Sequence, residues 1–133
     1  MKITFLGAGS TIFAKNVLGD CILTPSLGQF DIALYDIDRD RLECSYVMLK
    51  NINRRYGKAR IRKYTDLKSA LSGADFVVNA VQIGGYEPCT VTDFEVPKKY
   101  GLRQTIGDTL GIGGIFRALR TIPVMQDFAD DMA

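Results

Sequence analysis

Residues 2–9, KITFLGAG, form a short apolar run that meets two glycines. Such a run, without alternating polar residues, is typical of a strand that is covered on both faces. Three later runs are also predicted to be strands: FDIALYD (30–36), ARIRKY (59–64) and ADFVVNAV (74–81). Segments with helical spacing separate them. This alternation constrains the fold most strongly, because it predicts a parallel sheet with right-handed crossovers.

Helices are predicted between and after these strands, over residues 10–20, 38–57, 65–73, 90–100 and from about 114 onward. Gly57 is expected to end the second helix, and Pro123 is expected to kink or interrupt the last one. The second helix also has a stripe of residues at helical spacing that is predicted to face the core, namely Leu42, Tyr46, Leu49 and Ile52.

The predicted fold class is therefore α/β, a Rossmann-type parallel sheet with helices on both faces. The 133 residues are enough for one domain. A complete doubly wound dinucleotide domain would continue with a fifth and a sixth strand. We therefore expect residues 1–133 to be an N-terminal dinucleotide-binding domain, incomplete after its first four strands and following helices, from a longer protein.

Composition limits the classes of partner. The 17 basic and 15 acidic residues are interspersed and leave a net charge of +2, which argues against nucleic acid and membrane surfaces. No segment resembles a signal peptide or a membrane span, so a cytoplasmic location is expected. The three cysteines lack a C-x-x-C pair and are expected to be reduced, buried thiols. Without histidine, the chain has no His-dependent acid–base catalysis or His-ligated metal, and no metal ligand is predicted in it.

The first strand is followed by Gly7, Gly9 and Ser10, which open the first helix. Gly7 permits a tight turn, and Gly9 lets the backbone approach a pyrophosphate at the helix N-terminus. The third glycine position of the dinucleotide fingerprint is Ile12, so the match is incomplete. An ordinary glycine turn between a strand and a helix is the alternative.

Two polar residues end predicted strands at the edge where ligands of parallel sheets bind. Asp36, at the end of the second strand, is predicted to accept hydrogen bonds from the adenosine ribose and to favour NAD over NADP. Arg39 and Arg41 lie close enough to weaken that preference, and a cap of the next helix is the alternative role for Asp36. Asn79 ends the fourth strand and is predicted to face the nicotinamide, with a structural amide as the alternative.

Four motifs carry a family resemblance, and the later ones are far more distinctive than the glycine fingerprint. They are GAGSTIFAKN (7–16), DIDRDRLE (36–43), VQIGGYEPCTVTDFEV (81–96) and DTLGIGGIFRALRTIP (108–123). With them the chain resembles glycoside hydrolase family 4, and most closely its α-galactosidase branch. The resemblance extends over nearly the whole chain in register.

The resemblance implies a reaction that uses NAD⁺ and a divalent metal, typically Mn²⁺. The cofactor takes hydride from sugar C3, and the metal polarises the resulting ketone, which acidifies the C2–H bond. A tyrosine base removes that proton, the aglycone leaves by elimination, water adds, and the hydride returns to C3. The implied function is hydrolysis of terminal α-galactosides, with this chain supplying the cofactor-binding part.

The resemblance also assigns residues. Gly7, Gly9, Ser10 and Asp36 match cofactor-binding positions, as does Asn79. Gln82 and Thr109 match substrate-binding positions. Asp108 matches a catalytic acid that supports the tyrosine base, because a nearby carboxylate raises the pKa of a phenol. The alternative for Asp108 is a cap of the last helix.

The family's metal-binding Cys and His and its tyrosine base lie beyond the region that this chain covers. The Mn²⁺ ligands are therefore expected outside this chain, and the 133-residue chain alone is expected to be inactive. A homo-oligomer is expected, since apolar surface where further strands would pair favours association.

The loop after the fourth strand bears on the substrate. No Lys or Arg occurs between Val81 and Val96, whereas Glu87, Asp93 and Glu95 do. This composition disfavours a sugar phosphate and favours an unphosphorylated galactoside.

Two other functions remain open from the sequence. A lactate/malate-type 2-hydroxyacid dehydrogenase shares the early fold but needs a basic residue in that same loop. A non-enzymatic NAD-binding module would need only the cofactor half of the site.

Overall fold

The computed structural model describes residues 1–104 and 111–132. The chain divides into two units, Met1–Val81 and Gln82–Ala133. The first unit contains β1 (Lys2–Leu6), α1 (Thr11–Leu23), β2 (Phe30–Tyr35), α2 (Arg39–Tyr56), β3 (Ala59–Tyr64), α3 (Leu67–Leu71) and β4 (Phe76–Asn79). The second unit contains a turn segment (Gly85–Thr90), in which Glu87 has non-helical φ and ψ angles, followed by α4 (Val91–Lys99) and α5 (Gly111–Met132).

The four strands form one parallel sheet in the order β3-β2-β1-β4. The chain therefore builds outward from β1 on one side and then returns to place β4 on the other. Leu6 at the end of β1 lies in register with Tyr35 of β2 and Asn79 of β4. This order confirms the predicted Rossmann-type fold, and the β1–β4 boundary is the position at which such sheets bind ligands.

Helices cover both faces of the sheet, as predicted. Ile3 and Phe5 of β1 belong to the core that α1 and α2 complete with Leu18 and Leu49. The intervening residue Thr4 points to the opposite face, where its hydroxyl donates to the Ala70 carbonyl in α3 at 2.9 Å. Each large apolar side chain buried in this way contributes roughly 1.5–3 kcal/mol to folding.

The helix ends follow from local chemistry. The Asp38 carboxylate accepts from the N–H groups of Asp40 and Arg41 and begins α2, and Gly57 ends it with a φ of 64°. The predicted core stripe of α2 is confirmed, because Leu42 and Leu49 are buried and the other two members pack against the core. The Asp66 carboxylate begins α3 by accepting from Ser69 N–H.

Two sequence-based boundaries were wrong. α1 continues to Leu23 instead of ending at residue 20, and α5 begins at Gly111. Pro123 lies inside α5 without ending it. A proline removes only one helical hydrogen bond, and it disfavours but does not forbid α-helical geometry for the residue before it. The helical turns on both sides of Pro123 therefore continue as one helix.

All three cysteines are free thiols, but they are not all buried: Cys44 is exposed, whereas Cys21 and Cys89 are partly buried. Burial, and secondarily the nearby Asp20 carboxylate, raises the pKa of the Cys21 thiol. A raised pKa leaves less of the reactive thiolate near pH 8.

We therefore expect iodoacetamide at pH 8 to alkylate Cys44 several-fold faster than Cys21, as measured by peptide mass spectrometry. In guanidinium chloride the two rates should become equal, since unfolding removes the burial. Equal rates in the native protein would contradict this reading of Cys21.

Candidate cofactor-binding site

The turn after β1 is held against the ends of two neighbouring strands. The N–H groups of Gly7 and Ala8 both donate to the Tyr35 carbonyl, at 3.0 and 2.9 Å. Gly7 has a φ of 82°, and a Cβ there would lie 2.7 Å from the carbonyl carbon and oxygen of Ala80. The loop after β4 therefore passes directly over this residue, and both the conformation and the space require glycine.

Asp36 is bonded to the same turn. Its Oδ2 accepts from the Gly9 N–H at 2.6 Å, and its Oδ1 accepts from the Asp38 N–H at 2.9 Å. A Cβ at Gly9 would lie 2.7 Å from Oδ2. A carboxylate offers about four acceptor positions, so two are left after these bonds. The turn thus brings together Gly7, Gly9 and Asp36, three of the predicted cofactor-binding residues. The two free acceptor positions of Asp36 can accept from two neighbouring hydroxyl groups.

The N-terminus of α1 is the third part of the site. Ser10 is its N-cap residue but makes no side-chain capping bond, and the first turn holds no acidic residue. The helices α2 and α3 differ, because Asp38 and Asp66 cap them. The positive end of α1 is therefore not neutralised by a cap, which suits an anionic ligand such as a pyrophosphate.

Ile12, where the fingerprint departs from glycine, does not obstruct this arrangement. Its side chain is 74% exposed. Ala8 of the turn and Ala14 of α1 are both fully buried and belong to the hydrophobic core. The third glycine of the fingerprint serves close helix–strand packing, and an exposed side chain at this position leaves that packing undisturbed.

Asn79 ends β4 beside this turn. Its Oδ1 accepts from the Val81 N–H at 3.1 Å, so the amide supports the chain where it leaves the strand. This bond fits the structural alternative stated above. A contact with nicotinamide stays a prediction.

The other predicted residues belong to the second unit. Gln82 is exposed, and its Nε2 donates to Thr90 Oγ1 at 3.0 Å. Asp108 and Thr109 lie outside the described residues. Gln104 was not singled out from the sequence, yet its Oε1 accepts from the Gly113 N–H at 2.9 Å and so supports the start of α5.

A second residue that the sequence reasoning missed is Arg120. Its Nη1 and Nη2 donate to the two carboxylate oxygens of Asp93 at 2.8 and 2.5 Å, which joins α5 to α4. Asp93 is only 3% exposed. Hydrogen bonding to Asp93 raises the pKa of the Arg120 guanidinium, which therefore stays charged. The signal that could have identified this pair is an aspartate on the buried side of α4.

This pair changes the charge expected for the loop. Of its three carboxylates, Asp93 is neutralised by Arg120, and Glu95 pairs with Lys98. Glu87 forms no ion pair with any residue that the structure describes. The repulsion toward a sugar phosphate is therefore weaker than the composition of the loop suggests.

Within residues 1–104 and 111–132, no group of three or more His, Cys, Asp or Glu side chains is placed to hold a metal ion. In the same ranges, no helix combines the length and the hydropathy needed to span a membrane.

Known proteins are similar to this chain in sequence and in fold. An α-galactosidase of Bacillus subtilis (strain 168) is 64% identical over 132 residues, an alignment that covers 98% of this chain and 31% of that protein. The crystal structure of lplD from Bacillus subtilis superposes with a TM-score of 0.88 at 32% identity, covering 99% of this chain and 30% of that one. The chain thus spans about a third of the length of these relatives.

Two solved structures, each described as a 6-phospho-α-glucosidase from gut microorganisms, contain NAD. One holds NAD and glucose-6-phosphate, with a TM-score of 0.85, 25% identity and coverage of 99% of this chain and 30% of that one. The other holds NAD and Mn²⁺, with a TM-score of 0.86 at 22% identity, covering 98% and 30%. At 22% identity the likeness shows the fold alone.

A family model described as family 4 glycosyl hydrolase matches residues 2–133. That match spans nearly the whole chain, and the 64% identical relative aligns with 98% of it. The chain therefore belongs to glycosyl hydrolase family 4.

Proposed function

We propose that residues 1–133 are the N-terminal dinucleotide-binding domain of an NAD- and divalent-metal-dependent glycosidase that hydrolyses α-galactosides. The observation that carries the proposal is the site at the carboxyl ends of β1 and β2, where Asp36 and Gly9 are bonded beside an uncapped helix. The 64% identical relative, an α-galactosidase, supports the substrate. Because the chain belongs to family 4, the 2-hydroxyacid dehydrogenase alternative is not retained.

The residues of the first unit fit an NAD molecule part by part. The first-turn N–H groups of α1 hold the pyrophosphate, and Gly7 and Gly9 allow the backbone to approach it. The free acceptor positions of Asp36 hold the two ribose hydroxyls, and its negative charge disfavours a 2′-phosphate. Bound NAD would supply a reversible hydride acceptor for carbon C3 of the sugar. Asn79 would orient the nicotinamide end.

The reaction half of the site is proposed more sparingly. Gln82 and Thr109 are substrate-binding residues, and Asp108 is the carboxylate that strengthens a tyrosine base. The Mn²⁺ ligands are proposed to come from outside this chain. A cytoplasmic location and homo-oligomeric assembly stay predictions.

A chimera tests this proposal. This chain would replace the matched N-terminal 31% of the Bacillus subtilis α-galactosidase. With NAD⁺ and Mn²⁺, the chimera should hydrolyse a chromogenic α-galactoside, because the two parts then hold both halves of the site. The 133-residue chain alone should give no turnover.

Each outcome decides a different point. Hydrolysis by the chain alone would show that no essential group is missing from it. A chimera active only on a 6-phosphogalactoside would refute the unphosphorylated substrate. A properly folded chimera that acts without NAD⁺ would refute the role of the cofactor.

A non-enzymatic NAD-binding module is the second candidate, because the predicted cofactor residues of the first unit would suffice for it. Calorimetric titration separates the two: this candidate requires tight NAD⁺ binding by the chain together with an inactive chimera.

A further inference from the structure

The second unit contains a directed chain of hydrogen bonds that begins at Gln82. The Gln82 Nε2 donates to Thr90 Oγ1 at 3.0 Å, and the Thr90 hydroxyl donates to the Gly85 carbonyl oxygen at 3.3 Å. All three residues lie in the unit Gln82–Ala133. Thr90 therefore connects an exposed side chain to the backbone of the glycine turn.

The Gly85 carbonyl determines the direction of this series of hydrogen bonds. A carbonyl oxygen only accepts, so the one hydroxyl proton of Thr90 is used by Gly85. Toward Gln82 the Thr90 oxygen then acts as an acceptor, which requires the carboxamide to present its NH₂ group. The Gln82 Oε1 therefore points away from Thr90, and the residue as a whole is exposed.

We propose that Thr90 is a positioning residue that holds the Gln82 carboxamide with Oε1 outward, so that a sugar hydroxyl meets a fixed hydrogen-bond acceptor. The inference rests on the proposed function, since it needs Gln82 to contact the galactoside. A free glutamine side chain has several rotamers and two amide orientations. Fixing one of them before binding removes an entropic cost that the substrate would otherwise meet.

The 133-residue chain itself gives the first test. In a ¹⁵N spectrum, the Gln82 side-chain NH₂ protons should exchange slowly in the wild type and in Thr90→Ser, which keeps the hydroxyl. In Thr90→Val they should exchange several-fold faster. Indistinguishable exchange in all three proteins would overturn the positioning role, whether or not the chimera is active.

The chimera described above tests the consequence for substrate. Thr90→Val should raise KM for a chromogenic α-galactoside about tenfold with little change in kcat, as expected when a uniform binding contact is lost. Thr90→Ser should restore KM. NAD⁺ affinity should be unchanged in both variants.

Thr92→Val is the matched control. Thr92 lies two residues after Thr90, and its hydroxyl donates to the Pro88 carbonyl at 2.7 Å. This substitution removes a similar threonine-to-carbonyl bond without touching Gln82, so KM should stay at the wild-type value. A rise in KM equal to that of Thr90→Val would mean that both act through local stability.

A double-mutant cycle separates positioning from a general structural effect. Gln82→Ala should raise KM, and adding Thr90→Val should then change nothing further. Additive effects would overturn the inference while leaving Gln82 as a substrate residue. An unchanged KM in Gln82→Ala would instead remove Gln82 from the proposed function, and the inference with it.

Discussion

Replacing Asp36 with alanine is expected to weaken NAD⁺ binding by about 100-fold or more, because hydrogen bonds to a charged group contribute roughly 1.5–3 kcal/mol each and two ribose hydroxyls lose theirs. The substitution also removes the acceptor of the Gly9 N–H at 2.6 Å, so the turn that faces the pyrophosphate loses its support. Calorimetric titration of the chain with NAD⁺ measures the change directly.

The same variant should change cofactor selectivity. The Asp36 charge opposes a 2′-phosphate, and Arg41 lies beside the turn, since its Cβ would be 3.0 Å from a Cβ at Gly9. Without the carboxylate, the ratio of the NADP⁺ and NAD⁺ dissociation constants should fall toward one.

Asp66→Ala provides the control for Asp36. It removes another carboxylate of the first unit, whose acceptor role is to cap α3. This variant should lose some stability through the lost helix cap and keep the wild-type affinity for NAD⁺. Unaltered NAD⁺ binding in Asp36→Ala would refute the assignment of the ribose site.

Gly7→Ala is expected to destabilise the first unit by about 3 kcal/mol or more, enough to unfold a marginal protein. The new Cβ would lie 2.7 Å from the Ala80 carbonyl carbon and 2.9 Å from the Val81 nitrogen, so the backbone after β4 must move. The positive φ of 82° adds a conformational cost of about 1–2 kcal/mol. Denaturant unfolding followed by circular dichroism measures the loss.

Gly28→Ala isolates the conformational part of that cost. Gly28 also has a positive φ, of 61°, but an added Cβ would meet nothing within 4 Å. Because no steric clash adds to its conformational cost, Gly28→Ala should destabilise the first unit less than Gly7→Ala does. If the two variants were equally stable, the close approach of the β4 loop to Gly7 would not be a determinant of this fold.

Local sequence patterns predicted the elements well where short-range chemistry decides them. Asp38 and Gly57 mark the two ends of α2 because a carboxylate and a left-handed glycine satisfy exposed helix groups near them in sequence. Pro123 shows the limit of such rules, since α5 continues through it. A single unfavourable residue is outweighed when the turns on both sides of it are helical.

The site was predictable in its residue types and not in its connections. Gly7, Gly9 and Asp36 were identified from their places after predicted strands, but the bond from Gly9 N–H to Asp36 joins residues 27 positions apart. The Asp93–Arg120 pair also spans 27 positions and was overlooked, so the charge of the loop was overestimated. The separation of two residues in the sequence does not predict the distance between them when they meet only after strands pair and helices dock.

The amino-acid sequence by itself determined the order of strands and helices, the parallel sheet that this order requires, and the glycines and carboxylate that can meet a dinucleotide. These features follow from periodicity, backbone freedom and the chemistry of single side chains, which act over a few residues. Only the tertiary structure decided that the β4 loop crosses Gly7, that Asp36 holds Gly9, and that Arg120 neutralises Asp93. Those contacts depend on burial and strand pairing between distant parts of the chain, where free energy is shared among many residues at once.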